Sequence, residues 1–350
     1  MTQARVLLTT AVLAVAGGSL LTLLGAPVSW LCGAMVATGI AALLRIDVHV
    51  PSGLAKAAFV MIGVSMGASV TPETIEQIVT WPLSLAILAV SIAAIIAASA
   101  FYLEKVHGWD KATARFSSIP GALNVTMIVA ADSTANLPQV AVAQSIRLFV
   151  LVAIMPTLLQ LGSAMPDAPG VAARAGAVDI ALMLAAGTGV GWLLERVGVP
   201  AGMMLGAMIG SAALHVTETV HGLLPVPVMT AGFLVTGAVI GVRFRGANAS
   251  ILMATLPGAI GGVILALALS AGFAGLASYA LGIPFGQLWL AYAPGGVDAM
   301  AAMALALDLA PAFVGAHHVI RFFTLSMMSP FWLRGVRLDQ GESPIERPAE

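Results

Sequence analysis

Charge is what this sequence has least of. Its 350 residues include only 15 Lys and Arg and 16 Asp and Glu, or 9%, where a soluble domain carries about 25%. A water-soluble globule of this length needs a charged skin, so the deficit excludes a soluble enzyme, a nucleic-acid-binding domain and a disordered chain. The net charge of −1 leaves no global field to draw in polyanions. Cysteine is nearly absent: Cys32 stands alone, which excludes an intrachain disulfide and a thiolate metal cluster. There is no Walker A loop, no GxSxG, no HExxH and no His/Cys/carboxylate cluster at metal-ligand spacing. An ATP-driven pump is therefore not expected, nor an enzyme, a cofactor or a metal site.

What the chain does have is apolar sequence. Hydrophobic residues make up 59% and the mean hydropathy is +1.00. Runs long enough for about 30 Å of hydrocarbon lie at 4–24, 27–46, 51–70, 79–101, 138–162, 175–197, 200–216, 224–242, 251–281 and 311–333. The 251–281 run is long for one span and suggests a bent end. Two further segments, 110–134 and 285–308, are apolar but interrupted. With 37 Gly and abundant Ala, helices can approach closely, which favours a packed helical bundle over a barrel. The expected fold is thus an all-α polytopic membrane protein.

The chain repeats itself. Gly18-x-Leu20-Leu21-x-x-x-Gly25-x-Pro27 recurs as Gly191-x-Leu193-Leu194-x-x-x-Gly198-x-Pro200, and Gly33-Ala34-Met35 as Gly206-Ala207-Met208. Gly63 and Gly67 match Gly237 and Gly241; Pro120-Gly121 matches Pro294-Gly295, Arg147 matches Arg321, and Pro156 matches Pro330. Between 118 and 156, nine of 39 pairs are identical, against roughly three from so skewed a composition. The expected organisation is a first repeat over 1–162, a linker over 163–174, a second repeat over 175–333 and a polar tail over 334–350. The first run resembles a cleavable signal in its Ala14-Val15-Ala16, but its counterpart at 175–197 marks it as a retained helix.

If all six segments of each half span, the halves are parallel. If 110–134 and 285–308 dip in and return, each half has five spans and the halves are inverted, for 10–12 membrane segments in all. With an inside N-terminus the second arrangement puts Arg5, Arg45, Lys56, Lys105, Lys111, Arg115, Arg196, Arg243, Arg245, Arg334 and Arg337 inside. Arg174 and the Glu73/Glu76 loop are then outside. Cytoplasmic loops collect Lys and Arg, so the inverted arrangement is preferred.

Pro120 and Pro294 each remove an amide inside apolar sequence, and Gly121, Gly295 and Gly296 open the backbone. Irregular backbone at membrane depth survives only when buried in protein or lining a watery cavity. Two such breaks at matched positions point to a transporter's binding site, with half-helix N-termini facing the substrate. Asn124 and Asp298 follow the breaks at the same spacing, as ligands or as N-caps. An intramembrane carboxylate is costly, which makes Asp298 a candidate for a coupling proton or cation. Arg147 and Arg321 cannot shed their protons. Each must meet a carboxylate, backbone carbonyls or an anionic substrate; an Arg321–Asp298 pair is the structural alternative. Gln144 and His318 precede the arginines by three residues and share their helix faces. His318 is a candidate proton carrier, against the commoner role of a hydrogen-bonded core histidine. Ser117, Ser118, Thr126 and Asn136 are weaker candidates for the cavity wall.

The repeated Gly-x-Pro and Gly-Ala-Met motifs, Pro294-Gly295-Gly296, Asp298, and Phe313-Val314-x-Ala316-His317-His318-x-x-Arg321 resemble those of the AbrB family of bacterial membrane proteins. The resemblance covers nearly the whole chain and includes the AbrB-type duplication. It implies a fold akin to cation–proton antiporters and anion transporters, with inverted repeats and crossed broken helices. Members carry labels of ammonia monooxygenase or of a regulator of gene expression; no copper ligand or DNA-binding element here matches either label. The acidic residue after Pro-Gly-Gly fits Asp298, whereas Ala122 and Asn124 depart from a symmetric pair of carboxylates. The expected function is secondary transport of a small, anionic solute by alternating access. Arg147, Arg321, Gly121, Asn124, Gly295 and Gly296 would bind the solute, and Asp298 and His318 would couple it to a proton or cation. The alternative is a membrane-embedded regulator of gene expression. Expected partners are the solute and the lipid bilayer of the bacterial inner membrane, with both termini cytoplasmic, homodimerisation allowed and no nucleic acid.

Overall fold

The computed structural model describes residues 3–70, 76, 78–121, 123–162, 174–199 and 201–328. The expected linker (Arg174 apart) and tail fall outside them, as do Glu73, Pro200 and Pro330. Among the described residues there are fourteen α-helices and no strand. The first seven are α1 (Gln3–Leu23), α2 (Ser29–Leu43), α3 (Ser52–Ala68), α4 (Trp81–Lys105), α5 (Lys111–Ser118), α6 (Leu123–Ala131) and α7 (Leu137–Gly162). The second seven are α8 (Ala177–Arg196), α9 (Gly202–Val216), α10 (Val226–Gly241), α11 (Ala249–Leu281), α12 (Phe285–Tyr292), α13 (Val297–Ala306) and α14 (Pro311–Met327). Six of these helices are long and apolar enough to cross a membrane: α1, α4, α7, α8, α11, and α10 with its short 3₁₀ extension to Phe244. The protein is thus a polytopic all-α membrane protein. The long 251–281 run forms one 33-residue helix, α11, with Pro257 inside it.

The starts of α2, α3, α5, α6 and α7 at 29, 52, 111, 123 and 137 recur in α9, α10, α12, α13 and α14 at 202, 226, 285, 297 and 311. The packing recurs as well. Helix α3 lies on α9 and α10 lies on α2, each through a Gly-x-x-x-Gly face. A Cβ on Gly63 or Gly67 would strike the Met204 or Met208 carbonyl oxygen of α9; one on Gly237 would strike the Leu31 carbonyl oxygen of α2. Gly17 against Gly33 joins α1 to α2, and Gly191 against Gly206 joins α8 to α9. Between helices that are already apolar, such close backbone approach replaces the hydrophobic effect as the source of adhesion.

These contacts sort the helices into two bundles that cut across the sequence halves. One contains α1–α3 and α8–α10, the other α4–α7 and α11–α14. Within the second, α11 packs on both α4 and α7, and Ser84 of α4 ties α12 to α14. Ser84 accepts from the Tyr292 hydroxyl at its carbonyl oxygen, at 2.7 Å, and lies 2.9 Å from His317 Nε2. His317 Nδ1 is 2.9 Å from the Phe313 carbonyl and the side chain is fully buried, so this histidine is core. Contacts between the bundles are sparser, and run from α3 to α13 and α14, from α10 to α7 and α13, and from α2 to α7.

Adding a methyl group at a backbone-to-backbone contact forces the helices apart, a cost of about 1–3 kcal/mol in a packed interior. Gly237→Ala is therefore expected to lower the melting temperature of the detergent-purified protein. Gly272→Ala, in α11 with nothing within 4 Å, is expected to leave it unchanged or raise it slightly; equal effects at both sites would refute the close-contact account.

Two broken helices and the cavity they close

Each break follows from a proline. Ile119 before Pro120 sits at φ −72°, ψ 121°, and Ala293 before Pro294 at φ −55°, ψ 136°. Both are pushed into extended backbone by the proline ring. Gly121 then turns at φ +79°, a conformation a Cβ disfavours. The chain restarts as α6 and α13. Helix α13 has Gly296 at its N-cap and no side-chain cap.

The second half-helix of each pair runs back toward the side from which the first came. Leu290 lies beside His318 and Ala293 beside Arg321, so α12 runs parallel to α14. Helix α13 then returns beside α14 to Ala306, five residues before α14 begins. In the first half, α5 runs with α7 in the same way. Asn136, just before α7, donates its backbone N–H to Thr113 Oγ1 at 2.8 Å, next to the start of α5. Both segments are re-entrant. Their tips meet: a Cβ on Gly121 would lie 2.9 Å from the Gly295 carbonyl oxygen and 3.0 Å from Arg321 Nη2.

A helix that stops inside a membrane leaves carbonyls with neither a helical partner nor water. Here they are taken up by side chains three residues apart on the last helix of each half. Gln144 donates to the Phe116 carbonyl at 2.9 Å, and His318 Nε2 lies 3.0 Å from the Leu290 carbonyl at the corresponding place. Arg147 donates to the Ser117 and Ile119 carbonyls at 2.9 and 2.7 Å. Arg321 donates to Ala293 at 2.6 Å and to Gly295. A guanidinium at a half-helix C-terminus also meets the negative end of its dipole.

A cavity of about 890 Å³ lies between the two bundles. Gly121, Val125, Gln144, Arg147, Leu148, the stretch Pro294–Asp298 and Phe322 line it from the broken-helix bundle. From the other bundle come Ser52, Lys56 and Phe59 of α3, the turn between α8 and α9, and Arg243 after α10. At its rim Lys56 Nζ lies 2.8 Å from Glu195 Oε1, both side chains well exposed.

Of the residues singled out in the sequence, Gly121, Gly295, Gly296, Pro294, Arg147 and Asp298 come together on this wall. Asp298 has no hydrogen bond and no ion pair within 4 Å among the described residues; the alternative Arg321–Asp298 pair is not formed. Arg321 is 2% exposed, committed to carbonyls and absent from the wall, so its expected role as a solute ligand gives way to one of holding the break together. His318 is also fully buried off the wall, with Nδ1 unpartnered. A proton carrier needs a path to water, and this histidine instead satisfies a carbonyl. Pro120 shapes the first break without lining the cavity. Asn124 lies in the first turn of α6, and its side chain is outside the described residues. Ser117 borders a small separate void beside Pro294, and Thr126 is buried without a partner.

Arg243 is the residue the sequence reading missed. It counted as a cytoplasmic anchor, yet it lines the cavity, and with Asp298 it also borders an adjoining void. The available signal was a departure between the halves: the position matching Arg243 is Ser69.

Comparison with known proteins agrees with the whole-chain resemblance. A family model described as "Transition state regulatory protein AbrB" matches residues 30–337. An Escherichia coli K12 protein named "Putative regulator AbrB" is 27% identical over 314 residues, covering 87% of this chain and 88% of its own. A Bacillus subtilis 168 protein named "Uncharacterized protein YhjN" is 24% identical, covering 94% of each.

Arg321→Ala removes two hydrogen bonds from a charged donor, each contributing about 1.5–3 kcal/mol. It is expected to lower the melting temperature with or without any solute. Arg321→Lys is expected to rescue little, because an ammonium lacks the planar fork. Full stability of Arg321→Ala in a thermal melt would overturn the assignment.

Proposed function

The chain belongs to the AbrB family, and we propose that it is a secondary transporter that moves a small anionic solute by alternating access, coupled to a proton or cation. One observation carries the reading. A cavity of about 890 Å³ lies between two bundles and ends at two helix breaks, with an unpaired carboxylate, Asp298, on its wall. A buried or half-buried carboxylate without a partner is costly to keep in a membrane, and binding a proton or cation removes that cost. The free N–H groups after each break complement an anion. The sparse contacts between the bundles support rocking of one against the other around the site.

With both interrupted segments re-entrant, each half crosses five times, an odd number, and the halves are inverted. The cavity opens beside the start of α3, the end of α8 and Arg243. By the distribution of Lys and Arg this is the cytoplasmic face of a bacterial inner membrane. On this reading the cavity opens inward and both termini are cytoplasmic. A second reading, a membrane-embedded regulator of gene expression without transport, is favoured only by the names of the family and of the Escherichia coli relative.

In a solute screen, one compound is expected to raise the melting temperature of the purified protein and to drive uptake into proteoliposomes. Asp298→Asn should abolish the coupled uptake while the protein stays folded. If no solute is bound or moved and deletion of the gene still alters transcription, the regulator reading replaces this one. Single cysteines at positions 56 and 174 are expected to react with an impermeant reagent from opposite sides of the membrane. Labelling of both from one side would rule out the inverted arrangement.

A further inference from the structure

We infer that the cavity takes a monoanionic organic acid with an apolar body, seated with its acid group on Arg243. The inference rests on the cavity being the solute site, and deepens that reading by naming the anchor and the class of solute. Among the described residues three cations line the cavity walls, and two are already engaged. Arg147 is committed to the Ser117 and Ile119 carbonyls, and Lys56 pairs with Glu195 at 2.8 Å. Arg243 makes no hydrogen bond and no ion pair within 4 Å among the described residues. It is exposed and lines the cavity, and with Asp298 it also borders the adjoining void. One uncommitted cation matches one negative charge on the solute. A dianion would need a second free cation on the wall, or would have to break the carbonyl clamp of Arg147. Asp298 then remains for the coupling ion.

The rest of the wall argues for an organic rather than an inorganic ion. Phe59, Leu148, Met203 and Phe322 face the same space as Arg243. A volume of about 890 Å³ has room for on the order of thirty waters, far more than a hydrated phosphate or chloride needs. Sites with mostly apolar walls and a few placed polar groups select molecules that have both parts. Aromatic residues come from both bundles, Phe59 from α3 and Phe322 and Phe323 from α14, so an apolar body between them touches both moving parts.

The test is binding of phenylacetate, hexanoate, acetate and phosphate to the full-length protein in detergent, by calorimetry, together with uptake in proteoliposomes. Phenylacetate or hexanoate should bind saturably and at least about tenfold more tightly than acetate, with no phosphate binding; tenfold is about 1.4 kcal/mol. Arg243→Gln should weaken that binding by about tenfold or more, and Arg243→Lys should restore part of it. Phe322→Ala should narrow the preference over acetate and leave the Arg243 dependence intact. Phosphate or acetate binding as tightly as the larger acids, no binding of any of the four, or binding unchanged in Arg243→Gln would each overturn the inference. Saturable phenylacetate binding without translocation would uphold it and sink the transporter reading. Proton-coupled phosphate uptake that survives Arg243→Gln would do the reverse.

Discussion

A helix that stops halfway through hydrocarbon leaves carbonyl groups that no water can reach, and the architecture around the breaks follows from satisfying them. Each unsatisfied group would cost several kcal/mol. The protein answers with the same device twice, a pair of donors three residues apart on the last helix of each half: Gln144 with Arg147, and His318 with Arg321. Because those donors reach the ends of α5 and α12, the last helix of each half must run alongside its own broken helix. That requirement makes both broken segments re-entrant and brings their tips together at Gly121 and Gly295. Two of the few charges in the chain are thereby used on backbone, and Lys56 pairs with Glu195, which leaves Asp298 and Arg243 as the cavity charges without a hydrogen bond or ion pair among the described residues.

A second constraint shapes the space around the breaks. Apolar helices in lipid gain little by burying apolar surface, so adhesion depends on how closely backbones approach. The glycines of α3 and α10 permit contact with the carbonyls of α9 and α2, and this binds α1–α3 to α8–α10 as one bundle. The other bundle is joined through α11 and through buried hydroxyls such as Ser84. Among the described residues the contacts between the bundles are sparser, with Cys32 Sγ 3.2 Å from the Val152 carbonyl oxygen among them, and the cavity lies between the two. Close packing within each bundle and sparse contact between them are the mechanical conditions for two bodies that move around a shared site.

Much of this was legible in the chain before any coordinates. Long apolar runs end where water begins, and the ten expected spans match helices to within a few residues, with 311–333 described only to Met328. The breaks were legible because Pro120 and Pro294 cannot donate an amide and force the preceding residue to be extended. The partners of the arginines were not legible, since a guanidinium at membrane depth is satisfied equally by carbonyls, a carboxylate or a ligand. Only the placement of Ala293 and Gly295 beside Arg321 decides among them. His318 stayed open between proton carrier and hydrogen-bonded core histidine for the same reason: what lies opposite its face depends on α12. Arg243 looked like a surface anchor because sequence position near a helix end says nothing of what the neighbouring bundle leaves open.

By itself, then, the sequence determined the solvent, the helices, the two breaks and their matching positions, because hydropathy, proline chemistry and repetition act locally along the chain. Tertiary structure alone decided that the bundles cut across the repeats, that the broken segments return, that Arg147 and Arg321 serve the backbone, and that Asp298 faces Arg243. Those outcomes depend on which carbonyl, carboxylate or void lies across a helix interface, and that is set by how separate helices pack rather than by neighbours along the chain.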